Sequence, residues 1–548
     1  MKKKLYLTHL LFWSVTLGAF AQSPQNYSNS ASLAQRIKTL TSKYPNLIKS
    51  KTLTQTLGGK DIWMLTLGTQ NADQKPAIAV VGGVDGKHLL GVEMAIGFAE
   101  KLLASSNADS VKNLLNKQTF YVFPNMSPDA TEQYFAKLKY ERSGNTTKTD
   151  DDRDGRLNED GFDDLDGNGK ITWMRVKDAT GKYKLNPDDP RSLILADATK
   201  GENGAYTLLQ EGLDNDKDGQ FNEDGEGGVS FNKNASFNYK NFVPGAGEYA
   251  VSEKENRALF DFLFDAFNVY AVVTFGPMNN LSSPVTFNPA GLTKRIITSW
   301  FDADVKSNAL VSERYNKITK TKDAPKTQAE PGDFSQWAYF HYGRLSFSTP
   351  GWWVPKVAPD SAKKEKKFTN DDPVAAYLRW AAKEGITDTY TPWKTVSHPD
   401  FAGQTVEVGG VDPFVLNNPP YKLVDNIVAK HTDFLVALAA MAPQIEFVNL
   451  KTEKLTDGLT RVTVQLLNTG DISTYTKIGD RSYFLKKIAI KVNAKNGQEV
   501  VSGRKSQTIE SLQGKEFKEL TWLIKGSGKV TIDAGCPTTG NKSIEVTL

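Results

Sequence analysis

The sequence has 548 residues, and an apolar leader of 21 leaves 527, more than one ordinary domain accommodates. Its 39% hydrophobic and 24% charged content exclude a disordered or membrane-embedded chain. The net charge of +4 falls to +1 without Lys2, Lys3 and Lys4 of the leader, which excludes nucleic acid as a generic electrostatic partner.

The chain opens with MKKKLYLTHLLFWSVTLGAFAQS. A tri-lysine start, an apolar stretch from Leu5 to Phe20 and an Ala19-Phe20-Ala21 cleavage pattern are the layout of a signal peptide, so residues 1–21 are expected to be removed. The expected product is exported, periplasmic or extracellular, and no later segment approaches the ~20 apolar residues of a membrane span. Cys536 is the lone cysteine and cannot close an internal disulfide, so stability there must come from packing or metal ions. Beyond the leader only four histidines remain, His88, His341, His398 and His431.

NSASLAQRIKTLTSKYP is a polar, helix-compatible stretch closed by Tyr44-Pro45. TLTQTLGGKDIWMLTLGT alternates as a hairpin around Gly58-Gly59. KPAIAVVGGVDG is a buried strand entering a glycine-rich turn, LLGVEMAIGFAEKLLA has helical spacing, and QTFYVFPNMSPDA is another strand. This alternation predicts an α/β domain whose site lies in loops at strand C-termini. From about Arg142 to Gly228 an insert rich in Asp, Asn and Gly interrupts it. The pattern resumes at SEKENRALFDFLFDAF and YAVVTFGP and runs to the helix NIVAKHTDFLVALAAMAP, on which His431 is expected to be structural. Pro443 ends this domain, residues 22–443. Residues 444–548 read as short strands of a β-sandwich, with an immunoglobulin-like pattern in RVTVQLLNTGDIST.

Within the insert, DDDRDGRLNEDG (150–161) and DNDKDGQFNEDG (214–225) agree at eight of twelve positions. Oxygen-bearing side chains stand at loop positions 1, 3, 5 and 9, with glycine at 6, as a calcium loop requires. The predicted ligands are Asp150, Asp152, Asp154, Asn158 and Asp160, and their counterparts Asp214, Asp216, Asp218, Asn222 and Asp224. A weaker third loop offers Asp164, Asp166, Asn168 and Thr172. The calcium is expected to be structural. Position 12 is glycine in both repeats, with aspartate at 11, so the usual bidentate closing residue of an EF-hand loop is missing.

Several segments resemble the zinc carboxypeptidases of the carboxypeptidase A type. KYPNLIKSKTLTQTLGGKDIWMLTLG is similar to that family's opening helix and hairpin, FPNMSPDA to its Asn-Pro-Asp-Gly turn, and NYKNFVPGAGEYAVSEKENRALFDFL to its Asn-Arg-Asn segment with the following helix. The resemblance implies a mixed-sheet α/β/α fold and a zinc ion on two histidines and a glutamate that activates water for peptide hydrolysis. Here Asp85 takes the first histidine position, His88 the glutamate position and Gly276 the second histidine position. Pro350 takes the place of the general base, and Gln328 that of a mobile tyrosine. Tyr239 and Lys240 fall on the Asn-Arg pair, beside Asn241 and Phe242, and Arg142 on an arginine that polarises the substrate carbonyl.

Zinc, the family cofactor, is therefore expected to be lost, and with it hydrolysis. The leading expectation is a noncatalytic homologue binding a peptide or cell-wall-derived ligand in a cleft bordered by Tyr239, Lys240 and Trp352-Trp353. The alternatives are a working metallocarboxypeptidase with an altered Asp/His ligand set, extended by His341, and a calcium-stiffened surface adhesion protein acting through its C-terminal domain. Oligomeric state is not encoded in any of these motifs.

Overall fold

The computed structural model describes residues 26–548 except 152, 226, 359–367 and 457. The leader and Asp152 lie outside the described residues. Among the described residues, no helix is long and apolar enough to cross a membrane.

The central sheet has six strands: β1 (Ile48–Gln55), β2 (Asp61–Leu67), β3 (Ala77–Val81), β4 (Thr119–Phe123), β5 (Val269–Phe275) and β6 (Leu345–Thr349), in the spatial order β1-β2-β4-β3-β5-β6. The hairpin β1-β2 is antiparallel and β2 pairs antiparallel with β4; β4, β3, β5 and β6 run parallel. Strands β3, β4, β5 and β6 are buried along their whole length, because both faces are covered. Ile78 and Val80 of β3 enter one core layer, whereas Ala77, Ala79 and Val81 enter the other.

The first layer packs the sheet against α1 (Ser30–Lys43), α2 (Leu89–Ala104), α4 (Asp302–Thr319) and α6 (Val424–Ala440). The opposite layer uses α3 (Lys254–Asp265) and α5 (Phe334–Phe340), with Trp337 stacked 3.8 Å from Phe260. Helix α2 is apolar nearly all round because it lies between sheet and α6. Its buried Glu93 is held by Arg36 at 2.6 Å and by the Ser28 N–H at 2.8 Å.

The insert is not self-contained. A second six-stranded sheet joins Trp173–Lys177, Tyr206–Gln210, Tyr183–Leu185 and Leu193–Leu195 to a hairpin, Tyr390–Val396 and Val406–Val411, from far downstream. Val406 pairs with Val176, so boundaries at 142 and 228 capture only part of this unit. Composition marks its acidic loops, but the apolar downstream strands carry no such label.

From Ile445 the chain forms two four-stranded sheets that share one apolar core, including Val464, Trp522, Ile490 and Ile532. The region is tied to the first domain. Buried Arg344 donates to the carbonyls of Val269 and Phe484, and the Lys477 N–H lies 3.0 Å from both carboxylate oxygens of Asp304.

Candidate functional site

Because β3, β5 and β6 are parallel, the turns after all three emerge at the same edge of the sheet. The turn after β3 carries Asp85 and His88, Gly276 follows β5 and Pro350 follows β6. The positions assigned from the sequence to zinc and base therefore converge here. Gly83 lies at φ 60°, and a Cβ there would meet Asn125 Oδ1. Glycine is thus needed to bend the chain against the neighbouring turn.

His88 is buried, and its Nε2 lies 2.9 Å from the Pro350 carbonyl. A carbonyl only accepts, so Nε2 carries the proton and is spent on fastening the β3 turn to the β6 turn. Nδ1 faces the Gly91 backbone, where an added Cβ would lie 2.9 Å away. Burial holds the imidazole below its ordinary pKa, with the nearby Asp85 charge opposing that shift, so the ring is neutral at pH 7. Asp85 accepts from the Lys87 N–H at 3.0 Å. At Gly276 there is no side chain, and an added Cβ would lie 2.5 Å from Val84 Cγ2. Gly276 thus offers no donor atom for zinc and Pro350 no group to transfer a proton, whereas His88 Nδ1 is buried without a hydrogen-bond partner among the described residues and Asp85 keeps a carboxylate. The three positions therefore supply two donor side chains, Asp85 and His88, where the family's zinc ion takes three.

A small cleft of about 150 Å³ remains beside these turns, lined by Asp85, Lys87, Asn232, Lys233, Gln328, Glu330 and Asp333 among others. The placement of the basic residue departs from the sequence reading. Lys240 is exposed and does not line the cleft, and the Tyr239 hydroxyl is tied to the Gly247 carbonyl at 2.6 Å. In their place the segment Asn232-Lys233-Asn234 brings an Asn-basic-Asn pattern to the cleft. Asn232 donates to Asp333 at 2.9 Å and accepts from the Phe334 N–H at 3.0 Å, while Lys233 pairs with Glu330 at 3.6 Å. Asp333, buried and pushed up in pKa by that burial, caps α5 through the Gln336 N–H. The signal missed in the sequence was the Asn-Lys-Asn triplet itself, seven residues before the Tyr239-Lys240 match.

Other assignments move as well. Arg142 is buried, and its guanidinium donates to the carbonyls of Gly144 and Asn145, so it braces a turn. Trp352 packs against Trp380 at 5.5 Å and Trp353 Nε1 donates to the Lys322 carbonyl, so neither borders the cleft. His341 Nδ1 contacts Ser236 Oγ at 2.9 Å, and His398 Nε2 the Gly212 carbonyl at 3.0 Å. His431 bonds Ile427 and Tyr315 within the core, a structural role. Glu141, unassigned from the sequence, is held above its ordinary pKa by burial despite Lys87, and accepts from the Phe414 N–H at 2.9 Å.

The acidic loops are the second concentration of chemistry. Among the described residues, Asp214, Asp216 and Asp218 bring ligand oxygens within 4.8 Å of one another, and so do Asp164, Asp166 and Glu211. The third loop is therefore completed differently from its sequence reading. Thr172 donates its N–H and hydroxyl to Glu211 at 2.9 Å, and Glu211 stands with the two aspartates. Asn168 Oδ1 accepts from the Lys170 N–H at 2.7 Å. The two repeats share one backbone shape, with φ 70° and 71° at position 4, 96° and 94° at position 6, and 57° and 60° at position 9.

Residues 33–350, more than half of the chain, match the zinc carboxypeptidase family, and residues 444–547 match a family described as a domain of unknown function. The chain belongs to the zinc carboxypeptidase family. Over 112 residues it is 26% identical to carboxypeptidase E of Caenorhabditis elegans, covering 20% of this chain and 24% of that protein. Over 114 residues it is 26% identical to carboxypeptidase D of Anas platyrhynchos, covering 20% of this chain and 8% of that protein. The match thus spans a quarter or less of these relatives' length. Among solved structures, carboxypeptidase A from Helicoverpa armigera aligns with 76% of this chain and 75% of its own at 11% identity and a TM-score of 0.38.

Proposed function

We propose that this chain is an exported, noncatalytic member of the zinc carboxypeptidase family that binds the C-terminal end of a peptide or a cell-wall-derived peptide. The observation that carries the reading is the bond from His88 Nε2 to the Pro350 carbonyl, which commits one ring nitrogen at a zinc position to the backbone where the base would stand. Glycine at 276, with Val84 against it, supports it further.

The cleft offers cationic and amide groups to a carboxylate, set beside the acidic side chains of Asp85, Glu330 and Asp333. Lys87 and Lys233 supply positive charge, and Asn232 and Gln328 supply amide groups. At about 150 Å³ it has room for one terminal residue, below the usual range for a drug-sized ligand. Calcium in the acidic insert is structural, stiffening the sheet beside the cleft, and the C-terminal domain is an immunoglobulin-like β-sandwich.

The test pairs elemental analysis of the mature protein with an assay for release of C-terminal residues from a peptide library. The expected result is less than a tenth of an equivalent of zinc, no release, and saturable binding of peptides with a free C-terminal carboxylate but not of their amides. One zinc per chain with chelator-sensitive release would replace this reading with an active metallocarboxypeptidase using an altered ligand set.

A further inference from the structure

Where the C-terminal region meets the first domain, a cavity of about 730 Å³ is lined from both. The first domain contributes buried Trp337 of α5, Phe264 of α3, and Phe340, which stacks on Phe237 at 4.1 Å. The C-terminal region contributes Tyr483 and Phe484, and the Phe484 ring lies 4.3 Å from that of Phe264. The cavity is not covered. Ile296, Tyr483 and Phe484 all line it and are 61%, 97% and 46% exposed, so three large apolar side chains stand in water around one depression. Scattered singly such residues are ordinary, but gathered at one concave surface they mark a place where an apolar ligand is bound. The volume falls in the range of about 300–1,000 Å³ typical of small-molecule sites.

A second observation concerns charge. Arg295 and Arg481 line this cavity against a single acid, Asp261. Among the described residues, neither guanidinium makes a hydrogen bond or an ion pair, and Arg481 has only the Phe301 ring, 6.0 Å away. The lining histidine, His341, is tied through Nδ1 to Ser236 Oγ at 2.9 Å. A guanidinium stays charged at any working pH and presents a planar fork that matches a carboxylate. Most of the remaining lining is apolar, which leaves a hydroxyl-rich ligand such as a sugar short of hydrogen-bond partners.

We propose that this cavity binds a free amphipathic carboxylate, with its hydrocarbon part laid on the aromatic lining and its carboxylate met by Arg295 and Arg481. The site shares no lining residue with the cleft of Lys87 and Lys233 and does not rest on the peptide-binding reading. Because the lining comes from both domains, a bound ligand touches both and stabilises their contact.

The test is calorimetric titration of the full chain with dodecanoate and, separately, with dodecyltrimethylammonium, both below the concentrations at which they form micelles. The expected result is saturable binding of a single dodecanoate, with the cationic amphiphile weaker by about tenfold or more. Arg295→Gln combined with Arg481→Gln should weaken dodecanoate by about tenfold or more. Ile296→Ser combined with Tyr483→Ser, both at exposed positions, should weaken it by about threefold or more while the melting temperature without ligand stays within a few degrees of wild type. If the arginine variant fails to fold, the comparison of the two head groups on the wild type and the Ile296/Tyr483 variant still decide the matter. Equal binding of the two amphiphiles, dodecanoate binding indifferent to either pair of substitutions, or no saturable binding at all would overturn the proposal.

Discussion

Replacing Gly276 by alanine tests whether the zinc position is closed by packing or simply lacks a side chain. Gly276 does not lie in the left-handed region, so its backbone accommodates an L-residue, and such a change would otherwise stabilise by about 0.4–1 kcal/mol. The added Cβ, however, stands 2.5 Å from Val84 Cγ2, against the 3.5–4.0 Å or so of a relaxed carbon contact. Val84 is wholly buried between the turn and the core and cannot swing into solvent. Overpacking of this kind costs about 1–3 kcal/mol, so Gly276→Ala should lose about 1–2 kcal/mol net. Val84→Ala removes the opposing methyl groups. Urea titration of the wild type, both single variants and the double variant should therefore give a coupling of about 1 kcal/mol or more, the double variant being more stable than the sum predicts. If the two effects add, or Gly276→Ala is neutral or stabilising, the position has room for a ligand and the argument from packing fails.

Three further outcomes are expected. Burial lowers His431 to a pKa of about 4, so the unfolded chain takes up a proton between roughly pH 6.5 and 4 that the folded chain refuses. Its contribution, about 3 kcal/mol, is full above pH 6.5 and lost on acidification; urea midpoints of His431→Gln should fall less between pH 7 and 4.5 than those of the wild type. Asp304 behaves in the opposite sense. Burial raises it to about 6, so its folded form holds a proton that the unfolded chain releases, and stability is lost as pH rises from about 3.8 to 6; Asp304→Asn should flatten that slope, and an unchanged slope would show that the group is not responsible. In the third acidic loop, Glu211→Gln should reduce the calcium-induced rise in melting temperature without changing the melting temperature in chelator by more than a few degrees; an undiminished rise would remove Glu211 from the ligand set.

Much of this architecture is legible in the sequence because its signals are local. The strands β3 and β5 announce themselves as apolar runs, and the turns after them lie where a parallel sheet must place them. What periodicity does not carry is the choice between two nearby matches to the family's Asn-Arg-Asn segment. Tyr239-Lys240-Asn241 and Asn232-Lys233-Asn234 are close in composition, and only Asp333, a hundred residues away, fixes the second by bonding Asn232. The same limit applies to the insert. Its repeats are visible, but how they pack depends on contacts such as the Asn215 N–H to Asp160, and its sheet on strands more than two hundred residues downstream. Arg142 shows a different failure: a charged side chain at a family position reads as a substrate contact, whereas here its partners are the carbonyls of Gly144 and Asn145.

The changes at the cleft are coupled, which bears on whether zinc could return. A histidine restored at 276 meets Val84, and a glutamate restored at 88 would bring a buried carboxylate up to the Pro350 carbonyl, acceptor against acceptor, until a metal arrived. Each reversion taken singly therefore destabilises the fold before it can gain the ion, whereas at present a neutral histidine donates to a carbonyl beside a glycine. Had only the ligand side chains been trimmed, single reversions would be nearly neutral and the site would remain open to metal. The packing around Val84 and the bond to Pro350 instead tie both positions to their neighbours.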